Sequence, residues 1–254
     1  MNVRIGSDPE TFLIDQTGKF ISSVGLIGGS KDEPMDIGSG CSVQEDNVTV
    51  EFNTPPTNVE DDFVNSINYN LDWITKRAQE MNLKVIHTPS AVFEDSQLET
   101  RAAQTFGCDP DFNAWRYSDP NPRPKSDNPN LRSAGGHIHI EAPELNKEDL
   151  IKAMDLFVGV PMLEFDNDSN RRKLYGKAGA YRPKTYGVEY RTASNAWLQD
   201  DDKKRWVFQQ TQKAVQFVRN GKQIPEELGK LIQRSINRSD LKLATKVMNW
   251  SESL

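Results

Sequence analysis

The chain has 254 residues, 36% of them hydrophobic and 27% charged, with a net charge of −6 and a mean hydropathy of −0.69. That is enough chain for a sizeable core, with no apolar run near the roughly 18–20 residues a bilayer crossing needs, and the acidic balance argues against nucleic acid or anionic membrane as the main partner. Two cysteines, Cys41 and Cys108, make no disulfide framework and no CxxC zinc pair, and MNVRIGSDPETF lacks the build of a secretory signal, so a cytoplasmic location is expected.

Residues 3–15 (VRIGSDPETFLID) read as a strand that breaks or bends at Pro9 and then continues. Gly28-Gly29-Ser30-Lys31 reads as a turn, with Lys31 a candidate anion contact. Residues 41–53 hold two β-type runs, SVQ and VTVEF, around a polar centre. Beyond Asn58 as N-cap, Val59, Phe63, Ile67, Leu71, Ile74, Ala78 and Met81 recur three or four apart, which predicts a helix with acids in its first turn. A short strand, LKVIH, follows. Residues 109–132 are dense in Pro, Asn and Asp and read as a long loop, equally a functional lid or a mobile segment. GGHIHIE reads as a strand, and Asn146 caps a helix running through Leu150, Ile151, Met154, Phe157 and Val158. KAGAYRPKTYGVEYRT reads as a hairpin. The acids Asp200–Asp202 start a helix with a stripe at Val207, Thr211, Ala214, Val215 and Val218, and two shorter helices follow Pro225 and Ser239. Strands in ones and twos with helices between and after them predict an α+β chain, largely antiparallel, folded as one domain over 1–254 with 200–254 a helical extension packed on it.

Four strand-like segments carry polar residues at period 2, which places them on one face: Asp8 and Glu10; Glu45, Glu51 and Asn53, if that strand is regular; His137 and His139; Glu189 and Arg191. A solvated sheet face accounts for any one of these. All four together suggest a face given to cations. Two unit charges 4 Å apart repel by about 4 kcal/mol at an effective dielectric near 20, so converging carboxylates would erode a domain stability of only about 5–15 kcal/mol. Divalent ions would relieve that repulsion, with carboxylates favouring Mg2+ or Mn2+ and the imidazoles tilting the choice toward Mn2+. A second cluster, Arg171, Arg172, Lys173, Lys177, Arg182, Lys184 and Arg191, is interleaved with tyrosines. It suits a solvated hairpin edge, or arginine forks for phosphate oxygens. No GxxxxGK[ST], GxGxxG or GxSxG is present.

The ordered set GSDPETFL, QEDNVTVEFN, GGHIHI and GVEYRTASNAWL resembles the glutamine-synthetase superfamily and, within it, the phage-encoded carboxylate–amine ligases (amidoligases). The resemblance implies a curved antiparallel sheet with helices on its convex side and two or three divalent metals with ATP on its concave face. It implies Asp8, His137 and Glu189 as ligands of one metal and Glu10, Glu45 and Glu51 as ligands of another. Here the Glu45–Glu51 spacing is shorter than in the synthetases, so Asp46 stands as a substitute for Glu45. His139 matches a nucleotide-phosphate contact, with Arg171, Arg172 and Lys31 as further cofactor-binding candidates. Arg191 and Arg182 match the arginines that hold the transferred phosphoryl group and the carboxylate substrate. The implied reaction is ATP-dependent amide formation through an acyl phosphate, with small-molecule or peptide acids and amines as partners; the base that takes the amine proton is open, with Glu45 and Asp46 as candidates. Two other readings stand beside it: a metal-dependent hydrolase built on the HxH strand, and a non-catalytic nucleotide- or peptide-binding module.

Overall fold

A computed structural model describes residues 3–104, 111–122, 124, 126–166 and 168–251. Cys108 and positions 109, 110, 123 and 125 of the long loop lie outside the described residues.

The centre of the molecule is β1 (Arg4–Ile14), which runs unbroken through Pro9. Along it, β2 (Phe20–Ile21) pairs with the far end, and the hairpin β4 (Cys41–Asp46) and β5 (Thr49–Asn53) joins through Glu10↔Glu51, with β3 (Met35–Gly38) outside β4. Helix α1 (Glu60–Glu80) and β6 (Lys84–Ile86) follow, and β7 (Ser90–Val92) belongs to a separate two-stranded ribbon. Short α2 (Arg101–Gln104), β8 (Phe112–Asn113) and β9 (Asp119–Pro120) come next; β10 (Leu131–Ser133) pairs with β7, and β11 (Gly136–Glu141) lies beside β1. Then come α3 (Lys147–Met154), α4 (Ser169–Leu174), the hairpin β12 (Ala180–Lys184) and β13 (Gly187–Tyr190), and the helices α5 (Asp201–Arg219), α6 (Glu226–Arg238) and α7 (Leu241–Ser251). The large sheet has eleven strands, its path runs β3-β4-β5-β1-β11-β13-β12-β8-β9, and every described pairing is antiparallel. The α+β, largely antiparallel architecture expected from the sequence is the one observed.

Alternation sets what each face does. Ile5, Ile138, Ile140, Val188 and Tyr190 share the face that packs on Phe63 and Ile67 of α1, Leu150, Ile151 and Met154 of α3, and Val207, Phe208 and Val215 of α5. Fully burying each such side chain contributes about 1.5–3 kcal/mol. Within 200–254, α5 belongs to this main core, while α6 and α7 close a smaller one with Leu156, Val160 and Leu163. No described helix is long and apolar enough to cross a membrane.

Three local expectations change. Val59, not Asn58, is the residue before α1, and it supplies no side-chain cap. Asn146 does cap α3, accepting from Asp149 N, but the helix loosens into a π-turn at Asp155–Gly159 rather than running regularly through Val158. At that turn the buried Asp155 carboxylate accepts from Trp115 Nε1 and Gly179 N at 2.6 Å each and from Tyr190 Oη at 2.8 Å. That same contact pins Trp115, so the described part of 109–132 is tied down as two short strand pairs and a 3-10 turn.

Candidate metal and phosphate site

The polar face of the sheet gathers chemistry because four neighbouring strands, β5, β1, β11 and β13, are in register. Asp8 lies opposite His137, Glu10 opposite Glu51 and His139 opposite Glu189. The double glycine ahead of β11 has a steric cause. A Cβ on Gly135 would stand 2.2 Å from His137 Nε2, and one on Gly136 would stand 2.1 Å from the Ser194 carbonyl oxygen. Gly135 N also donates to Glu10 Oε2 at 2.7 Å, so one glycine both makes room for the imidazole and orients the carboxylate.

Two groups of donors result, each with ligand atoms within 4.8 Å of one another: Asp8, His139 and Glu189; and Glu10, Asp46 and Glu51. In the first, His139 Nε2 is 2.9 Å from Asp8 Oδ1, while His137 Nδ1 is 3.5 Å from that oxygen and 3.8 Å from Glu189 Oε1. The cations Arg191, Lys184 (2.7 Å) and Arg182 (3.7 Å) all meet the buried Glu189. Burial pushes Glu189 up, yet Arg191, His137 and Arg182 hold it down at about 2. Asp8 also stays well below the usual carboxylate range, because His139 and His137 outweigh burial. The second group has less compensation. Burial and then Asp46 raise Glu10 to about 7, and burial with Asp8, Glu10 and Asp46 lifts Glu51 well above its ordinary value. Burial and the nearby Arg191 lower His137 to about 4, so its ring is neutral and able to ligate at neutral pH.

These donors suit divalent metal. Asp8 Oδ1 and His139 Nε2 are cut off from solvent without a hydrogen-bond partner among the described residues, since their 2.9 Å approach lacks hydrogen-bond geometry. Three facing carboxylates with raised affinity for protons are the arrangement a divalent cation relieves.

Several expected residues fall elsewhere. Glu45 is not beside Glu10 and Glu51. β4 and β5 are two strands joined by a tight turn, with Asn47 at φ 56°, rather than one regular strand, so parity is not carried across. Gln44 and Asp46 therefore share the face of Glu51, while Glu45 points away and accepts the amides of Gly25, Ile27 and Gly28 at 2.8–2.9 Å. Arg171 and Arg172 are not presented to a nucleotide. Arg171 is 1% exposed and donates to the carbonyls of Ala134, Arg191, Thr192 and Ala193. Arg172 is bound to Gly176 O, Thr192 O and Asp166. Both staple the backbone around the site, because a buried guanidinium needs its donors satisfied. Lys31, Arg182 and Arg191 do line the cleft. The sequence placed Lys184 only within the basic cluster, without singling it out, and gave no role to Tyr186, whose hydroxyl meets His139 Nδ1; Lys184 shares the parity of Arg182, a signal that was available.

The cleft over both groups spans about 990 Å³ of space that opens to solvent. At the His139 end it adjoins a second cavity of about 620 Å³ with Tyr186, Thr54 and Pro56 in its wall. At the Glu10 end it adjoins a third of about 520 Å³ with Val48, Leu174 and Tyr175. The charged centre thus has a chamber on either side.

Over part of its length the chain is similar to ligases that join a carboxyl group to an amine. Residues 129–250 match the family model described as Phage phiEco32-like COOH.NH2 ligase-type 2. The matched part contains the GGHIHI and GVEYRTASNAWL motifs, and the resemblance drawn from the sequence is borne out. Among solved structures, the chain is similar to one described as a novel glutamine synthase homolog, at 11% identity and a TM-score of 0.42, covering 99% of this chain and 67% of that one. No curated protein matches.

Proposed function

We propose that the protein is an ATP-dependent carboxylate–amine ligase acting through an acyl phosphate. The observation that carries this reading is the meeting of two divalent-cation donor groups with Arg182, Lys184, Arg191 and Lys31 around one cleft. A carboxylate is a poor electrophile, so an oxygen of the acid must first attack the γ-phosphorus as the bond to ADP breaks. The amine then attacks the acyl carbon, and phosphate leaves with the acyl oxygen. Divalent metal held by the two donor groups would supply neutralisation of charge on the phosphate oxygens.

The protein's own groups do the rest. Lys184, Arg182 and Arg191 orient and stabilise the transferred phosphoryl group. The chamber beside Tyr186 accepts the nucleotide's base, which leaves the chamber beside Tyr175 for the acid and the amine, on the opposite side as in-line transfer demands. Of the two candidate bases, Glu45 is committed to the 25–28 turn, whereas Asp46 borders both the cleft and the Tyr175 chamber. The test is ADP release from the full chain with ATP and Mg2+ against a panel of acids and amines, followed by mass spectrometry of host-cell extract for products lighter by one water. Release that needs both co-substrates is expected. Nucleotide binding with no product from panel or extract, or turnover without metal, would overturn the reading.

A further inference from the structure

The ladder between β11 and β13 ends at the pair Ile138↔Tyr190. Just past it, a side chain from α4 enters between the two segments. We propose that Arg171 is a positioning residue: it gathers the backbone carbonyls of residues 191–193 and thereby aims the Arg191 guanidinium at the group being transferred. The proposal rests on the ligase reading for what Arg191 holds, and on the geometry around α4 for the rest.

Four observations support it. First, Arg171 Nε donates to Ala134 O at 3.0 Å, Nη1 to Thr192 O at 2.8 Å, and Nη2 to Arg191 O at 3.2 Å and Ala193 O at 2.7 Å. Successive carbonyls of a regular strand point to opposite sides, so three in a row on one cation mark an arc of chain wrapped around it. Arg191 is the first residue of that arc, and Ala134 directly precedes Gly135-Gly136-His137. One guanidinium thus ties the lead-in of β11 to the run-out of β13. Second, its space is built in: a Cβ on Gly176, at φ +71°, would stand 1.7 Å from Arg171 Nη1. Third, Arg171 is buried without an ion pair among the described residues, whereas Arg172 beside it takes Asp166. A hydrophobic side chain would fill that volume without the cost of burying a charge, so directed donors are what the position supplies. Fourth, Arg191 stands where aim matters, since it borders both the cleft and the Tyr175 chamber. Its head group leans on Glu189, with Asp111 Oδ2 4.0 Å from Nε, so a shift of its backbone would draw it off both. Misplacement by about 1 Å at a reacting centre costs about 10²-fold.

The test compares two neighbours on α4. Calorimetry on the full chain reads affinity for Mg2+·ADP and for Mg2+·AMP-PNP, an ATP analogue that is not hydrolysed, and their ratio measures the hold on the terminal phosphate. Arg171→Lys keeps the charge but loses the fork, and should cut that preference about tenfold or more. Arg191→Lys should cut it similarly, and the double variant should lose no more than Arg191→Lys alone, because Arg171 acts through Arg191. Arg172→Lys disturbs Gly176 O and a single carbonyl of the arc, so it should lower Tm and keep the preference. A second readout needs no nucleotide. The nitrogen–proton resonance of Arg191 Nε, identified by its loss in Arg191→Lys, should move in Arg171→Lys and in Gly176→Ala and stay in place in Arg172→Lys. A preference kept in Arg171→Lys, a resonance unmoved in both Arg171→Lys and Gly176→Ala, additive losses in the double variant, or equal losses in Arg172→Lys would each overturn the inference. An unmodified chain that binds neither nucleotide, while the resonance still moves, would instead sink the ligase reading and leave the positioning role standing.

Discussion

The two halves of the cleft carry similar acids under opposite electrostatics. Asp8 and Glu189 are surrounded by His137, His139, Arg182, Lys184 and Arg191 and are held as anions. Glu10 and Glu51 face mainly other carboxylates and bind protons far more readily than ordinary glutamates. Burial is common to both halves, so burial does not set the difference. The identity of the neighbouring segment does: β11 brings imidazoles and β12 with the residue after β13 brings Arg182, Lys184 and Arg191, while β4 and β5 bring more acid. One half is therefore largely balanced by the protein's own cations, while in the other the carboxylates mainly face one another.

The largest effect that would sharpen this contrast comes from Glu189→Gln. Removing the carboxylate strands Arg191 and Lys184 at a buried position, where loss of one ionic partner costs about 3–5 kcal/mol. Turnover should fall by about 10²–10³ or more, and calorimetry should show a lowered Tm.

The pH dependence of stability comes next. Glu10 sits at about 7 in the fold, above its unfolded value, so the folded state keeps a proton that the unfolded chain has released. In chelator, stability should fall as pH rises from about 4.5 to about 7. Glu189, held near 2, contributes stability that is present above about 4.5 and is lost as pH falls toward 2. Chelated protein should therefore melt lower at about pH 7.5 than at about pH 5, saturating Mg2+ should remove the difference, and Glu10→Gln should flatten the decline. A Tm that climbs steadily over that range in chelator would break the contrast.

Gly135→Ala is expected to act more locally. The new Cβ must displace the His137 ring, loosening bound Mn2+ by about tenfold, while β1 and β11 stay paired. Isothermal titration of the variant reads this directly. The smallest effect belongs to Glu45→Gln, which weakens the amide contacts of the 25–28 turn by about 1–3 kcal/mol. Mn2+ affinity should match the unmodified chain; a loss would return Glu45 to the site.

How legible the site was depends on strand regularity. Within one unbroken strand, alternation placed Asp8 with Glu10 and His137 with His139, since side chains two apart must share a face; Arg191 follows the end of β13, yet still meets Glu189. It failed at Glu45, because a tight turn between β4 and β5 reverses the pairing of odd and even positions, and SVQEDNVT does not announce which residues form the turn. Arg171 and Arg172 were misread for another reason. Arginine beside a tyrosine-rich hairpin looks the same whether it serves a ligand or four backbone carbonyls, and only its burial distinguishes the two.

By itself, the sequence determined the long strands and helices, the polar stripe on each of those strands and the family the motifs resemble, because periodicity and residue chemistry are local properties. Only the tertiary structure decided which carboxylates meet, which cations stand beside them and which arginines are consumed by the fold. Those depend on register between strands far apart in the chain, and on burial, which a residue acquires from its neighbours in space.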